Sequence, residues 1–309
     1  MSTYRILSLD GGGIRGLLTA IILERLLAQV VDFLDMVDLI AGTSTGGILA
    51  LGLARGRSPS ELRKLYQEQG KKIFDDSFWD DLVDLGKLRG ADYDNRGLRS
   101  ELKKTLGSRT TLADLDKKVL ITAFDLDNKD PHPARRTWKP KLFHNFPGID
   151  SDGDALAYKV ALYTSAAPTY FPSVDGFIDG GVFANNPSMA ALAQCQDPRT
   201  HSQPPAMEDI RLLSLGTGTS LTYITGKKLD WGYTQWAKPL ISLMMDGAMG
   251  IVDFQCAKML HENYHRLAPV FPPGTSIPLD NVDKVPEIID FAQAVDISAT
   301  VHWLQDHWI

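Results

Sequence analysis

The residue types in this chain that could carry acyl-transfer chemistry collect at three glycine-rich turns. Gly42-Thr43-Ser44-Thr45-Gly46 has the G-x-S-x-G pattern and falls between an apolar strand pattern at 37–41 and a helical one at 47–53. Five residues of this kind are common by chance, and the strand-turn-helix context is what gives them weight. Small residues at Gly42 and Gly46 would let strand and helix approach closely, leaving Ser44 at the apex of a strained turn with its hydroxyl exposed as a nucleophile.

One strand-helix unit earlier, Asp10-Gly11-Gly12-Gly13-Ile14-Arg15-Gly16 follows the apolar run 4–9 and opens a helical pattern, so its backbone N–H groups make an anion site. An oxyanion hole would use the amides of Gly11, Gly12 and Gly13, because glycine lets a substrate oxygen approach donors worth about 3 kcal/mol each in the transition state. A tight turn alone would need fewer glycines. The segment also satisfies G-x-G-x-x-G through Gly11, Gly13 and Gly16, which makes dinucleotide binding a rival. That rival requires an acidic residue closing the second strand, where this chain has Gly42-Thr43-Ser44 instead.

A serine hydroxyl needs a proton acceptor, and the usual sequel in an α/β hydrolase is an acid and then a histidine. The seven histidines are His132, His144, His201, His261, His265, His302 and His307, and none sits in a glycine-rich turn at a strand end. His132 and His201 fall in proline-rich stretches, while His261 and His265 are spaced as one turn of a charged helix face. The most site-like downstream turn is Phe177-Ile178-Asp179-Gly180-Gly181-Val182, with Asn185-Asn186-Pro187 after it.

DGGGIRG, GTSTG and DGG, in this order and spacing, resemble the motif set of the patatin-like phospholipases, in particular the plant patatin and bacterial patatin-like branch. The likeness extends to KVLITAFDL, to the SAAPTYFP run at 165–172 and to LSLGTG at 213–218, covering about 4–219 clearly and the remainder loosely. The resemblance implies a three-layer α/β/α fold with a mostly parallel central sheet. It implies a phospholipase A type acyl hydrolase cleaving fatty-acyl esters of phospholipids or glycolipids, with neither cofactor nor metal. Residue by residue, it implies Ser44 as nucleophile, Asp179 as its dyad partner and Gly11, Gly12 and Gly13 as the oxyanion hole. Arg15, Gly42, Gly46, Gly180 and Gly181 are the supporting positions. Arg15 either holds the glycine loop and assists the oxyanion or sits in a structural ion pair; Asn185 and Asn186 either bond the backbone around the Asp179 turn or reach substrate.

An aspartate titrating near 3.9 is a poor base for an alcohol, so proton transfer must accompany attack on the ester, helped by burial of Asp179 and by oxyanion donors. Two other function classes stay open on the residues alone. One is a Ser-His-Asp esterase for small esters; the other is a catalytically silent lipid-binding module, which has no physical reason to keep Ser44, Asp179 and the glycine turns together.

The elements that must position these turns alternate. Strand patterns at 4–9, 37–41, 118–124, 177–178 and 210–215 interleave with helical ones at 17–33, 47–53, 60–69, 96–106, 155–163 and 240–260, which predicts βαβ units. Proline-rich segments at 131–147, 198–205 and 269–278 read as surface loops, and nothing has linker composition, so a single domain over 1–309 is expected. Net charge is −6, which removes any global positive field for nucleic acid or anionic lipid. Cys195 and Cys256 lack CxxC spacing and read as reduced thiols. The N-terminus has no signal-peptide pattern, and the uncharged stretches at 39–54 and 160–174 are shorter than the roughly 20 residues of a membrane span. The expectation is a cytoplasmic protein that meets its lipid substrate peripherally, at a membrane or micelle surface. In 71–88, Phe74, Phe78, Leu82 and Leu85 recur at helical spacing opposite Asp75, Asp76, Asp80 and Asp81, as in a packed amphipathic helix or a mobile cover over the site.

Overall fold

The computed structural model describes residues 3–73, 95–200, 203–226 and 229–309, so the stretch carrying Phe74, Phe78, Leu82 and Leu85 lies outside the described residues. The first strand, β1 (Tyr4–Leu9), is followed by α1 (Gly16–Gln29), β2 (Leu39–Thr43), α2 (Thr45–Ala54), α3 (Pro59–Ile73) and α4 (Arg96–Leu106). Next come β3 (Lys118–Asp125), β4 (Lys139–His144), α5 (Ala157–Thr164), β5 (Phe177–Asp179), α6 (Gly181–Ala184) and α7 (Ser188–Cys195). The chain continues through β6 (Ile210–Leu215), α8 (Tyr233–Leu260), β7 (Tyr264–Leu267), α9 (Val285–Ala294) and α10 (Ser298–Trp303).

The sheet runs β4-β3-β2-β1-β6-β7, parallel from β3 to β7, with β4 and β5 both antiparallel to β3. Residues along its strands alternate between two cores, as the two-residue period of a pleated strand requires. Leu7, Leu9, Ile40, Leu213 and Leu215 pack with α1, α2 and α5, whereas Ile6, Leu39, Ala41, Ile210 and Leu212 pack with residues of α7 and α8 such as Leu192 and Cys256. Helices therefore cover both faces, giving the three-layer α/β/α arrangement. Cys195 and Cys256 are free thiols buried in the second core.

Register brings the three glycine turns to one edge. Leu9 lies beside both Gly42 and Leu215, so β1, β2 and β6 end together. Thr43 pairs with Thr122 on β3, and the next β3 residue, Ala123, pairs with Asp179 on β5. Ser44 and Asp179 thus leave neighbouring positions of the same sheet edge.

Two segments differ from their sequence reading. The stretch 131–147 contains an edge strand, β4, in which Pro140 pairs with Phe124. An edge strand tolerates proline because one side of it needs no ladder donor. The second is 261–267: His261, at φ 51°, ends α8, and His265 belongs to β7, where its Nε2 bonds Thr300 Oγ1 at 2.9 Å and its ring stacks on Trp303. Among the described residues no helix is long and apolar enough to cross a membrane.

Candidate active site

Ser44 follows β2 and precedes the first residue of α2, with φ 54° and ψ −123°, a left-handed conformation that a side chain rarely adopts. The turn is this tight because strand and helix touch. A Cβ on Gly42 would lie 2.3 Å from the carbonyl oxygen of Gly46, and one on Gly46 would lie 2.2 Å from that of Leu9. The Ser44 N–H donates to Thr164 Oγ1 at 2.8 Å, and its side chain makes no capping bond to α2. The hydroxyl is therefore not used up on the helix whose positive N-terminal end it faces, an end that favours negative charge on Oγ.

Asp179 ends β5 and is 5% exposed. Burial pushes its carboxyl up to about 6, opposed by the neighbouring Ser44 hydroxyl and by the Gly181 N–H, which donates to Oδ1 at 2.7 Å. Its own N–H donates to Ala166 O at 3.0 Å, two residues beyond the threonine that holds Ser44. A hydroxyl relay joins the two turns from behind: Thr122 Oγ1 donates to Thr43 Oγ1 at 2.8 Å, and Thr43 Oγ1 donates to Ala184 O at 2.6 Å. Gly180 packs against Thr122, so the chain reverses into α6 directly beneath this relay.

The glycine loop is held by its carbonyls. Thr217 Oγ1 donates to Gly11 O at 2.8 Å and Asn185 Nδ2 reaches the same oxygen at 3.4 Å. Arg15 donates through Nε to Gly12 O at 3.3 Å and through a terminal nitrogen to Gly218 O at 3.1 Å. A trans peptide points its C=O and N–H in opposite directions. Fixing the oxygens of Gly11 and Gly12 therefore fixes the N–H groups of Gly12 and Gly13 on the other side, and among the described residues neither has a hydrogen-bond partner. Gly13 sits at φ 58°, where a Cβ would also strike Leu279 O at 2.1 Å. The Gly11 N–H is different: it donates to Asn185 O at 3.0 Å, so it is committed to the scaffold and the open donors are those of Gly12 and Gly13.

A cavity of about 640 Å³ opens over this constellation, with Gly12, Gly13, Ser44, Asp179 and Asn185 at its polar end and Ile48, Leu65 and Phe171 among its apolar walls. No histidine lines it among the described residues, and no group of three acidic, histidine or cysteine side chains there could hold a metal. Asn185 bonds the glycine loop through main chain and side chain, and Asn186 Oδ1 accepts the Ser188 N–H at the start of α7. Arg15 has carbonyl partners, and among the described residues it makes no contact ion pair.

Sequence reading missed the residues that hold the turns from a distance. Thr164 and Thr217 are two. A third device is the buried pair of Asp10 and Arg266, bonded at 2.6 and 3.3 Å, with Arg266 also donating to Ser214 Oγ at 2.6 Å. Asp10 precedes Gly11, and Arg266 lies in β7, so this pair ties the root of the glycine loop to the far edge of the sheet.

A family model described as patatin-like phospholipase matches residues 7–192. The chain is 33% identical over 297 residues to a Pseudomonas aeruginosa protein named cGAMP-activated phospholipase, covering 92% of this chain and 83% of that relative. An Escherichia coli protein of the same name is 39% identical over 231 residues, 69% of this chain, which spans 62% of that relative's length. Patatin-like protein 1 of Oryza sativa subsp. indica is 30% identical over 299 residues, 82% of this chain and 70% of the relative.

Proposed function

This chain belongs to the patatin-like phospholipase family, and from that premise we propose that it cleaves fatty-acyl esters of phospholipids or glycolipids through Ser44 and Asp179. The observation that carries the reading is that Ser44, held in its strained turn, and the buried carboxyl of Asp179 line the same end of one largely apolar cavity.

Ser44 Oγ attacks the ester carbonyl carbon as its proton passes to Asp179. A carboxyl raised to about 6 is a better base than an exposed aspartate and is still mostly ionised at neutral pH. Charge appearing on the carbonyl oxygen meets the N–H groups of Gly12 and Gly13, with Arg15 and Thr217 keeping those peptides in place. Collapse of the tetrahedral intermediate breaks the bond to the alcohol, whose oxygen takes the proton from Asp179. The acyl-Ser44 ester is then attacked by water, Asp179 accepting a proton and returning it to Ser44 as the fatty acid leaves.

The cavity's apolar walls suit an acyl chain, and the lack of a histidine among its described lining residues speaks against the Ser-His-Asp esterase. The family's lipid chemistry and the absence of a membrane-crossing helix among the described residues fit a protein that meets lipid peripherally from the cytoplasm. Reaction with a fluorophosphonate followed by peptide mapping tests the nucleophile. The label is expected on Ser44 and lost in Ser44→Ala; a label elsewhere, or none in folded protein, would refute it.

A further inference from the structure

Helix α8 is amphipathic in reverse. Leu240, Leu243, Met244, Ile251 and Phe254 fall within one stripe at 3.6 residues per turn, and each is between 46% and 59% exposed. Between Leu240 and Gln255 the charged residues are Asp246 and Asp253, both on the opposite flank, and Asp253 turns inward to accept the Tyr264 hydroxyl at 2.8 Å. Five half-exposed side chains of this size present on the order of 400 Å² of apolar surface, the scale at which a patch marks a docking site.

The stripe reaches the mouth of the cavity. Met244 belongs to both, being 59% exposed and lining the cavity together with Ser242 and Met245 of the same helix. A protein partner or a second copy seated on the stripe would cap the entrance. A lipid surface would instead place the substrate's own phase against it, so that an acyl chain passes into the cavity without crossing water.

We propose that the outward face of α8 is the surface by which this protein seats on lipid, and that the surface it takes is uncharged or zwitterionic. The proposal rests on the lipid-hydrolase reading above for its choice of occupant. Charge decides the headgroup class: between Leu240 and Leu260 the one cation is Lys258, its Nζ 5.8 Å from the Phe254 ring centroid, set against Asp246 on the flank and a net chain charge of −6, so no cluster of cations there rewards an anionic lipid.

The test uses the full chain bearing Ser44→Ala, so that binding is read without turnover, and co-sedimentation with phosphatidylcholine vesicles. Ser44→Ala should sediment with vesicles, and adding Ile251→Glu and Phe254→Glu should cut the bound fraction about tenfold. With Ser44 intact, the same pair should leave hydrolysis of monomeric p-nitrophenyl butyrate within twofold while vesicle hydrolysis falls at least tenfold. Should the glutamate pair not fold, Ile251→Gln with Phe254→Gln is read by the same criteria. Undiminished vesicle binding in the folded variant, binding only when phosphatidylglycerol is added, or a wild-type dimer that these substitutions convert to monomer would each overturn the proposal. Failure of Ser44 as nucleophile would show in peptide mapping and not in sedimentation, so the two readings fail separately.

Discussion

Thr164 Oγ1 accepts the backbone N–H of Ser44 at 2.8 Å, from the last residue of α5 and 120 positions along the chain. Ala166, two residues on, accepts the N–H of Asp179 at 3.0 Å. One corner of the fold therefore sets the spacing of the two side chains proposed to react, through the Thr164 hydroxyl on Ser44 and through a main-chain carbonyl on Asp179.

Replacing Thr164 by valine keeps shape and volume but leaves the buried Ser44 N–H without its acceptor. We expect a loss of about 1–3 kcal/mol of stability and a fall in kcat of about tenfold, with KM for a monomeric ester little changed. Chemical denaturation and steady-state kinetics on the purified variant check both. Thr164→Ser, which restores the acceptor, should recover most of the rate.

The position of the Asp179 titration fixes a pH dependence. A base must be ionised to act, so kcat/KM on a monomeric ester should rise about tenfold per pH unit below 6 and level off above it. Stability runs the other way. Because the folded-state value of about 6 lies above the ordinary 3.8, the folded protein holds a proton that the unfolded chain releases between about pH 4 and pH 6, and stability falls as pH rises through that window. Two units correspond to on the order of 3 kcal/mol. Asp179→Asn cannot ionise, so its thermal midpoint should gain several degrees on the wild type between pH 4 and pH 8. A difference that stays constant with pH would contradict the raised carboxyl.

The glycine turns were legible in the sequence because each is a local strand-turn-helix event: Gly42 and Gly46 flank Ser44 within five residues, and DGGG follows directly on β1. What holds those turns was not legible, since Thr164, Thr217 and Arg266 act across 120, 206 and 256 positions and no local pattern marks them. Gly11 shows the same limit. Its type suits an oxyanion donor, but the register that brings Asn185 O to its N–H is a tertiary fact. Both misread segments turned on length and charge. β4 and β7 are edge strands of 6 and 4 residues, too short and too polar to stand out against proline or lysine neighbours.

Arg15 gives the sharpest test of the oxyanion geometry. Arg15→Met preserves an unbranched stem while removing the side-chain bonds to Gly12 O and Gly218 O, so Gly12 O keeps the backbone N–H of residue 15 at 3.1 Å and the Gly13 N–H is held less firmly in direction. Loss of one positioned oxyanion donor costs about a hundredfold in kcat, and we expect a fall of about ten- to a hundredfold, with KM much less affected. The diagnostic readout is inhibition by a trifluoromethyl ketone, which forms a tetrahedral adduct: its Ki should rise in step with the fall in kcat/KM. A variant whose Ki is unchanged while kcat falls would place the role of Arg15 elsewhere.

The most direct measurement is a double-mutant cycle in kcat on one monomeric ester, comparing wild type, Ser44→Ala, Asp179→Asn and the double variant, with folding verified by circular dichroism. Residues that act as one unit are non-additive. A dyad without histidine predicts that all three variants share one low floor, while single replacements of the seven histidines keep substantial activity. Asp179→Asn within about tenfold of wild type, or a folded histidine variant that loses about three orders of magnitude, would contradict it.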